Sequence, residues 1–411
     1  MKKNRFVLDA IKNTDVKSAV VSFLDNGGKA PVIFNKNGNS FAVMPGFCDV
    51  HVHFREPGFT YKETILSGSR AAAHGGYTTV CTMPNLSPVP DSSENLKLQL
   101  DAIAGADVEI LPYGAITVNE DGKMLAALDE LAPLVVGFSD DGRGVTDKRL
   151  MREAMLEAKR LGKPIAAHCE DKSLIEPGGC IHDGIYAKAH SLPAISSESE
   201  YAEIERDLPL VRETGVDYHV CHVSTKESVD IIRRAKSEGI NITAETGPHY
   251  LVLTDADISD DGRFKMNPPL RSSDDKKALL DGIIDGTIDM LATDHAPHSA
   301  EEKAKGLSGS AFGVVGLETA FAVMYTELVM TGIITPEKLA QLMSDAPRKR
   351  FGIKGDAGFT VFDVASPYTV DPESFLSMGK SSPFAGRTVY GKCLLTVKDE
   401  NILYTDSSIF E

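Results

Sequence analysis

The chain has 411 residues, enough for two or three ordinary domains or for one (β/α) barrel with an appended module. Its 43 basic against 59 acidic residues leave a formal net charge of −16, which argues against a nucleic-acid partner held through its phosphates. It is 42% hydrophobic, so a large core is available, but it has no stretch of ~18 apolar residues that would read as a membrane helix.

In chain order, residues 1–45 read as short β-like runs separated by Gly, Asn and Pro. The basic start, whose apolar run is interrupted at once, does not fit a secretory signal. Eight apolar runs follow: Ala42–Val52, Tyr77–Met83, Val108–Ile116, Leu134–Phe138, Pro164–Ala167, Asp217–Val220, Ile240–Ala244 and Ile288–Ala292. They are rich in Val, Ile and Ala without strict alternation, as suits parallel strands buried on both faces. Between them lie helical patterns. Thr64–His74 ends at Gly75-Gly76. A helix opened by Thr146-Asp147 carries Leu150, Ala154, Ala158 and Leu161 and closes at Gly162, and Ser228–Glu238 closes at Gly239. After the last run come Glu318–Met330 and Pro336–Ser344, the latter capped by Thr335. Eight such units predict a (β/α)₈ barrel over residues 46–351. Residues 1–45 and 352–411 are expected to pair as a small β-rich module.

A barrel enzyme carries its active residues at the C-terminal ends of its strands. His51 and His53 end the first run, Asp140 and Asp141 follow the fourth, and His168 ends the fifth. His222 ends the sixth and Asp294 the eighth. In a strand, residues i and i+2 share a side, so both imidazoles of His51-Val52-His53 can reach one ion. Each signal alone is weak: Asp140-Asp141-Gly142 is a turn pattern, a single buried His is usually structural, and Asp294 alone suits a helix cap. Ligand types at five strand ends of one barrel are a different matter. Donors of N and O without thiolate suit two divalent ions, Zn²⁺ first, with Mn²⁺ or Co²⁺ as alternatives. The other histidines (His74, His182, His190, His219, His249 and His295) read as structural or supporting. The six cysteines lack CxxC spacing and suit a reduced, cytoplasmic setting. Pro297–Ser310, with Gly306 and Gly309, reads equally as a mobile cover or a solvated loop.

Taken together, several motifs resemble class I dihydroorotases of the amidohydrolase superfamily. They are Asp49-Val50-His51-Val52-His53-Phe54-Arg55-Glu56-Pro57-Gly58, Met83-Pro84-Asn85, Ser139-Asp140-Asp141-Gly142, Ala167-His168-Cys169-Glu170-Asp171, Cys221-His222-Val223-Ser224, Lys265-Met266-Asn267-Pro268-Pro269-Leu270-Arg271 and Thr293-Asp294-His295-Ala296-Pro297-His298. The resemblance implies metal ligation by His51, His53, His168, His222 and Asp294. No lysine lies between Lys123 and Lys148 to serve as a carboxylated bridge, so it also implies a bridging aspartate, Asp141, with Asp140 as the alternative. The implied substrate contacts are His53, Arg55, Asn85, Asn267, His298, Phe312 and Gly313. The implied reaction is reversible cyclisation of N-carbamoyl-L-aspartate to L-dihydroorotate in pyrimidine (UMP) biosynthesis, by a metal-activated hydroxide with Asp294 as general acid and base. Rival readings are a hydantoinase or allantoinase and an inactive scaffold of aspartate transcarbamoylase. An active chain is also open to association with that enzyme, or to homodimerisation.

Overall fold

The computed structural model describes residues 5–36 and 38–409; residues 1–4, part of the basic start that does not fit a secretory signal, lie outside them. The first apolar run proves to be two strands. Asn39–Pro45 and Phe47–Val52 are parted at Gly46, and they belong to different sheets. Asn39–Pro45 joins an antiparallel sheet with Val32–Lys36, Phe359–Thr369, Thr388–Lys398 and Asn401–Thr405. Both chain ends therefore build one module.

The expectation of β runs throughout residues 1–45 needs correction. Arg5–Ala10 and Thr14–Asp25 are helices. Asn13 caps the second by accepting from the amides of Asp15 and Val16, both at 3.1 Å. Val16, Ala19, Val20 and Phe23 have helical spacing and are buried against Phe41, Val43, Phe359 and Val361. Burial of that stripe on the module's sheet outweighs the turn-forming residues around it.

Phe47–Val52 begins the barrel. It pairs in parallel with Tyr77–Thr82, which pairs with Glu109–Pro112. The parallel series continues through Gly114–Ala115, Phe138–Ser139, Ile165–Ala167, Tyr218–Val220, Ile242–Thr246 and Met290–Leu291. The ring closes where Val52 bridges His295 and the His53 amide donates to the His295 carbonyl at 2.8 Å. An apolar plug that includes Cys48, Val50, Cys81, Met83, Tyr113, Ala166, Cys221 and Met290 fills the interior.

The outer helices start where side chains satisfy their free amides. Thr64 and Ser67 form a capping box, and Asp147 and Thr225 cap Lys148–Leu161 and Lys226–Ser237. The two C-terminal helices differ from the sequence reading. Ala320–Met324 runs into a π-turn over Tyr325–Val329, and Pro336–Ala340 into one over Gln341–Asp345 before Ala346–Arg350.

Gly46 is where the chain leaves one sheet for the other, and a Cβ there would lie 2.2 Å from the Ala357 carbonyl oxygen and 2.4 Å from Thr78 Cγ2. Gly46→Ala is therefore expected to cost about 1–3 kcal/mol by overpacking. Urea denaturation of the two proteins measures it.

Candidate active site

At the C-terminal mouth of the barrel the six predicted ligand residues converge, all of them buried. His51 Nε2 is 3.3 Å from Asp141 Oδ1 and 3.6 Å from Asp294 Oδ1. His53 Nε2 is 3.0 Å from Asp294 Oδ1 and 3.4 Å from Asp141 Oδ2. His168 Nδ1 and His222 Nε2 face each other at 2.9 Å, and each is within 3.5 Å of Asp141 Oδ1. His222 and Asp294 have left-handed backbones, with φ of 33° and 47°, a strained arrangement for non-glycine residues that recurs at functional sites.

The adjacent aspartates have different partners. Asp140 turns to the neighbouring strand and accepts from the amides of Ile116 at 2.8 Å and Thr117 at 3.0 Å, and from the Thr117 hydroxyl. Asp141 turns to the imidazoles. Burial opposes its charge, yet His51, His168 and His222 hold its carboxyl well below the usual range. Against burial, His51 is held well above the ordinary imidazole value by Asp141 and Glu245, and His168 is pushed up to about 10 by Asp141 and Glu170.

Three atoms of the cluster test whether a cation fits. His51 Nε2, Asp141 Oδ1 and His168 Nε2 are buried without a hydrogen-bond partner. His51, His53 and Asp294 bring one donor atom each within 4.8 Å of one another, and so do His51, Asp141 and His222. These two N/O sets share His51 and suit borderline divalent ions. Behind them, Glu245 Oε1 holds His51 Nδ1 at 2.7 Å, while its Oε2 meets His219 Nε2 at 3.0 Å. A carboxylate on the far ring nitrogen fixes the tautomer that leaves the near nitrogen free to ligate. The donors fit a metal centre.

The residues expected to touch substrate surround this cluster. Asn85 Oδ1 accepts from His53 Nδ1 at 2.9 Å, and Asn267 Nδ2 donates to Glu170 Oε1 at 2.7 Å. Arg55 is buried, and its Nε donates to the Pro297 carbonyl at 3.3 Å. Burial pulls it down to about 10, so it stays charged at neutral pH. His298 Nδ1 faces the Lys62 ammonium at 3.3 Å, and its Nε2 faces the Phe312 carbonyl at 2.7 Å. Lysine only donates and a carbonyl only accepts, so the proton sits on Nε2. Burial, with Arg55 and Lys62 nearby, pushes His298 down to about 3 and keeps it neutral. Arg55 Nη2, 3.4 Å from His298 Nε2, therefore faces an N–H and spends no hydrogen bond there. Gly313, at φ 131°, passes so close that a Cβ would lie 2.6 Å from the Ala296 carbonyl oxygen.

Sequence reasoning missed Glu245, Glu170 and Lys62. Glu245 ends the seventh run and obeys the same strand-end rule, which had been applied to His and Asp alone. Glu170 is two residues past His168. The segment read as cover or loop is folded into Ala300–Lys303 and Gly306–Gly309.

Residues 41–228 match the family model described as dihydro-orotase-like. The chain is 48% identical to a dihydroorotase of Brevibacillus brevis over 375 residues, 88% of each chain. It is 48% identical to one of Enterococcus faecalis over 388 residues, 92% of this chain and 90% of that one. Among solved structures, the L-hydantoinase (dihydropyrimidinase) of Arthrobacter aurescens superposes with a TM-score of 0.78 at 27% identity, covering 91% of this chain and 92% of that one. Identity of this extent, over a barrel with this set of donors at its mouth, shows that the chain belongs to the dihydroorotase family.

Proposed function

We propose that the chain interconverts L-dihydroorotate and N-carbamoyl-L-aspartate, opening and closing a cyclic amide in pyrimidine biosynthesis. The observation that carries this reading is the 48% identity to curated dihydroorotases over about nine-tenths of the chain, against 27% to the hydantoinase structure.

In this reading His51, His53, His168, His222 and Asp294, together with Asp141, would hold two divalent cations, Zn²⁺ first. Bound there, such ions supply a Lewis acid for the amide carbonyl and lower the pKa of water toward neutrality. The chain's own groups do the rest. Asp294 accepts a proton from the water that attacks the ring carbonyl carbon and passes it to the departing ring nitrogen. In the direction of ring closure it takes that proton back. Its contact with His53 and the backbone at φ 47° support a fixed position for this transfer.

Arg55 binds the carboxylate that stays outside the ring. Its Nε is committed to Pro297, and its terminal N–H groups are left for a planar anion. The amide halves left unspent set the remaining polarity. Asn85, which accepts from His53, donates its NH₂, and Asn267, which donates to Glu170, offers its oxygen to a ring N–H. His298 fixes the backbone of Phe312 beside Gly313, the stretch that faces the ring. Against the protein's net charge of −16, Arg55 supplies local positive charge for the anionic substrate; Lys62, next to His298, is paired with Glu302 at 2.9 Å.

Three measurements test this. Asp294→Asn suits the left-handed backbone, which asparagine tolerates, and should cut kcat by about 10²–10⁴-fold with little change in thermal unfolding. Undiminished turnover would remove Asp294 from the proton transfer. Stripping with a chelator should abolish dihydroorotate hydrolysis and added Zn²⁺ should restore it; protein that neither binds metal nor gains activity would be a scaffold, and faster opening of hydantoin than of dihydroorotate would shift the substrate. Glu245→Gln should weaken metal affinity about 10–100-fold by loosening His51, read by competition with a chromogenic chelator.

A further inference from the structure

Lys303 is a lysine on a four-residue helix at the edge of the site, yet its side chain is buried. Its ammonium donates to three main-chain carbonyls: Gly313 at 2.6 Å, Ala311 at 2.8 Å and Lys265 at 3.0 Å. An ammonium has three donors, and all three are spent on backbone. The Lys265 carbonyl also accepts from the Gly313 amide at 3.0 Å. The lacing is reciprocal. Lys265 sends its own ammonium to the Ser308 carbonyl at 2.9 Å and lies 4.6 Å from the centre of the Phe312 ring. Ser310 completes the knot: its hydroxyl donates to the Lys303 carbonyl at 3.0 Å and accepts from the Lys305 amide at 3.2 Å.

Two stretches of chain meet at this ammonium. One ends two residues before Asn267, whose amide is held by Glu170 next to His168. The other carries Phe312 and Gly313, the first of which receives the His298 N–H. No side-chain acid pairs with Lys303 among the described residues. A buried cation satisfied only by carbonyls is costly to form, and it persists where the backbone around it must be fixed.

We propose that Lys303 is a positioning residue for substrate. Its ammonium clamps the backbone on the Asn267 side of the site to the Phe312–Gly313 backbone and so sets the width of the slot that receives the ring. The inference rests on the dihydroorotase reading. It assigns Lys303 no part in proton transfer, so its loss should act on binding and leave the chemical step nearly intact.

The test compares the metal-loaded wild type with Lys303→Met, which keeps the aliphatic stem and removes the donors. The KM for L-dihydroorotate should rise about tenfold or more, because a clamp displaced by a fraction of an ångström misplaces several contacts at once. The kcat should stay within about threefold of wild type. Hydrogen exchange should quicken over residues 300–313 and leave the barrel strands unchanged. Ser310→Ala is the milder companion should Lys303→Met not fold, with KM expected to rise about threefold in the same direction. An unchanged KM in the folded variants, or a loss confined to kcat, overturns the clamp. A wild type that does not open dihydroorotate overturns the functional reading instead, and the two failures are separate because the wild type is assayed first.

Discussion

The active site depends on the seam that closes the barrel. Parallel strands hold their neighbours in register, but a barrel exists only if the first strand finds the last. Here the join is short and polar. The His53 amide meets the His295 carbonyl at 2.8 Å, and the Thr293 amide meets Asp49 Oδ2 at 3.1 Å. Asp49 Oδ1 also accepts from the His51 amide at 3.0 Å. One buried carboxylate thus ties the backbone before the first imidazole to the backbone before Asp294. Burial, aided by the Glu245 charge, pushes Asp49 up to about 7, and hydrogen bonds from Thr293 and His51 oppose the shift. Asp294 is far from His51 and His53 in the chain, and this join brings it within reach of the ion that they can share.

Charge at the mouth is organised in layers around the seam. Asp141 faces four imidazoles, Glu245 stands behind His51, and Glu170 stands between His168 and Asn267. Buried carboxylates in such number demand positive charge, and they hold His51 and His168 above the ordinary imidazole range. A metal centre held by these donors would answer it without protonating the imidazoles. Farther out, Arg55 and Lys62, the latter paired with Glu302 at 2.9 Å, flank a His298 that burial and both cations keep neutral. A substrate with a carboxylate at one end and an amide at the other fits this order of charges.

The sequence disclosed the barrel because buried parallel strands leave apolar runs, and it pointed to the six side chains that meet at the mouth because the barrel puts chemistry at strand ends. It left open which of Asp140 and Asp141 faces the imidazoles. Their orientation depends on two amides just past the strand Gly114–Ala115, at Ile116 and Thr117, which have no signature in the chain. Lys303 was invisible for the same reason. A Glu-Glu-Lys stretch among Ser, Ala and Gly reads as solvated, and its three partners are carbonyls that any residue carries. The helix Glu198–Thr214 escaped notice because Pro209 interrupts its pattern, yet seven of its residues are buried. The helix at Thr14–Asp25 was missed because the periodicity of Val16, Ala19, Val20 and Phe23 is short and flanked by turn formers.

The module of chain ends bears on the site as well as on stability. The connection between its strands Phe359–Thr369 and Thr388–Lys398 packs against residues that flank the site. Glu63, fully buried, accepts from the Ser377 hydroxyl and, at 3.2 Å, from the Met378 amide; it also lies 3.5 Å from His295 Nε2. Glu318 takes the Leu376 amide at 2.7 Å and the Ser377 amide at 3.2 Å. Gly379 lies where a Cβ would come within 2.6 Å of Pro297 Cβ. Pro297 in turn gives its carbonyl to Arg55. The positions of Arg55 and of the Asp294 backbone are therefore backed by residues from the far end of the chain. A barrel alone would bring the buried donors together and leave this wall unsupported, which is a physical reason for the two chain ends to fold onto its flank.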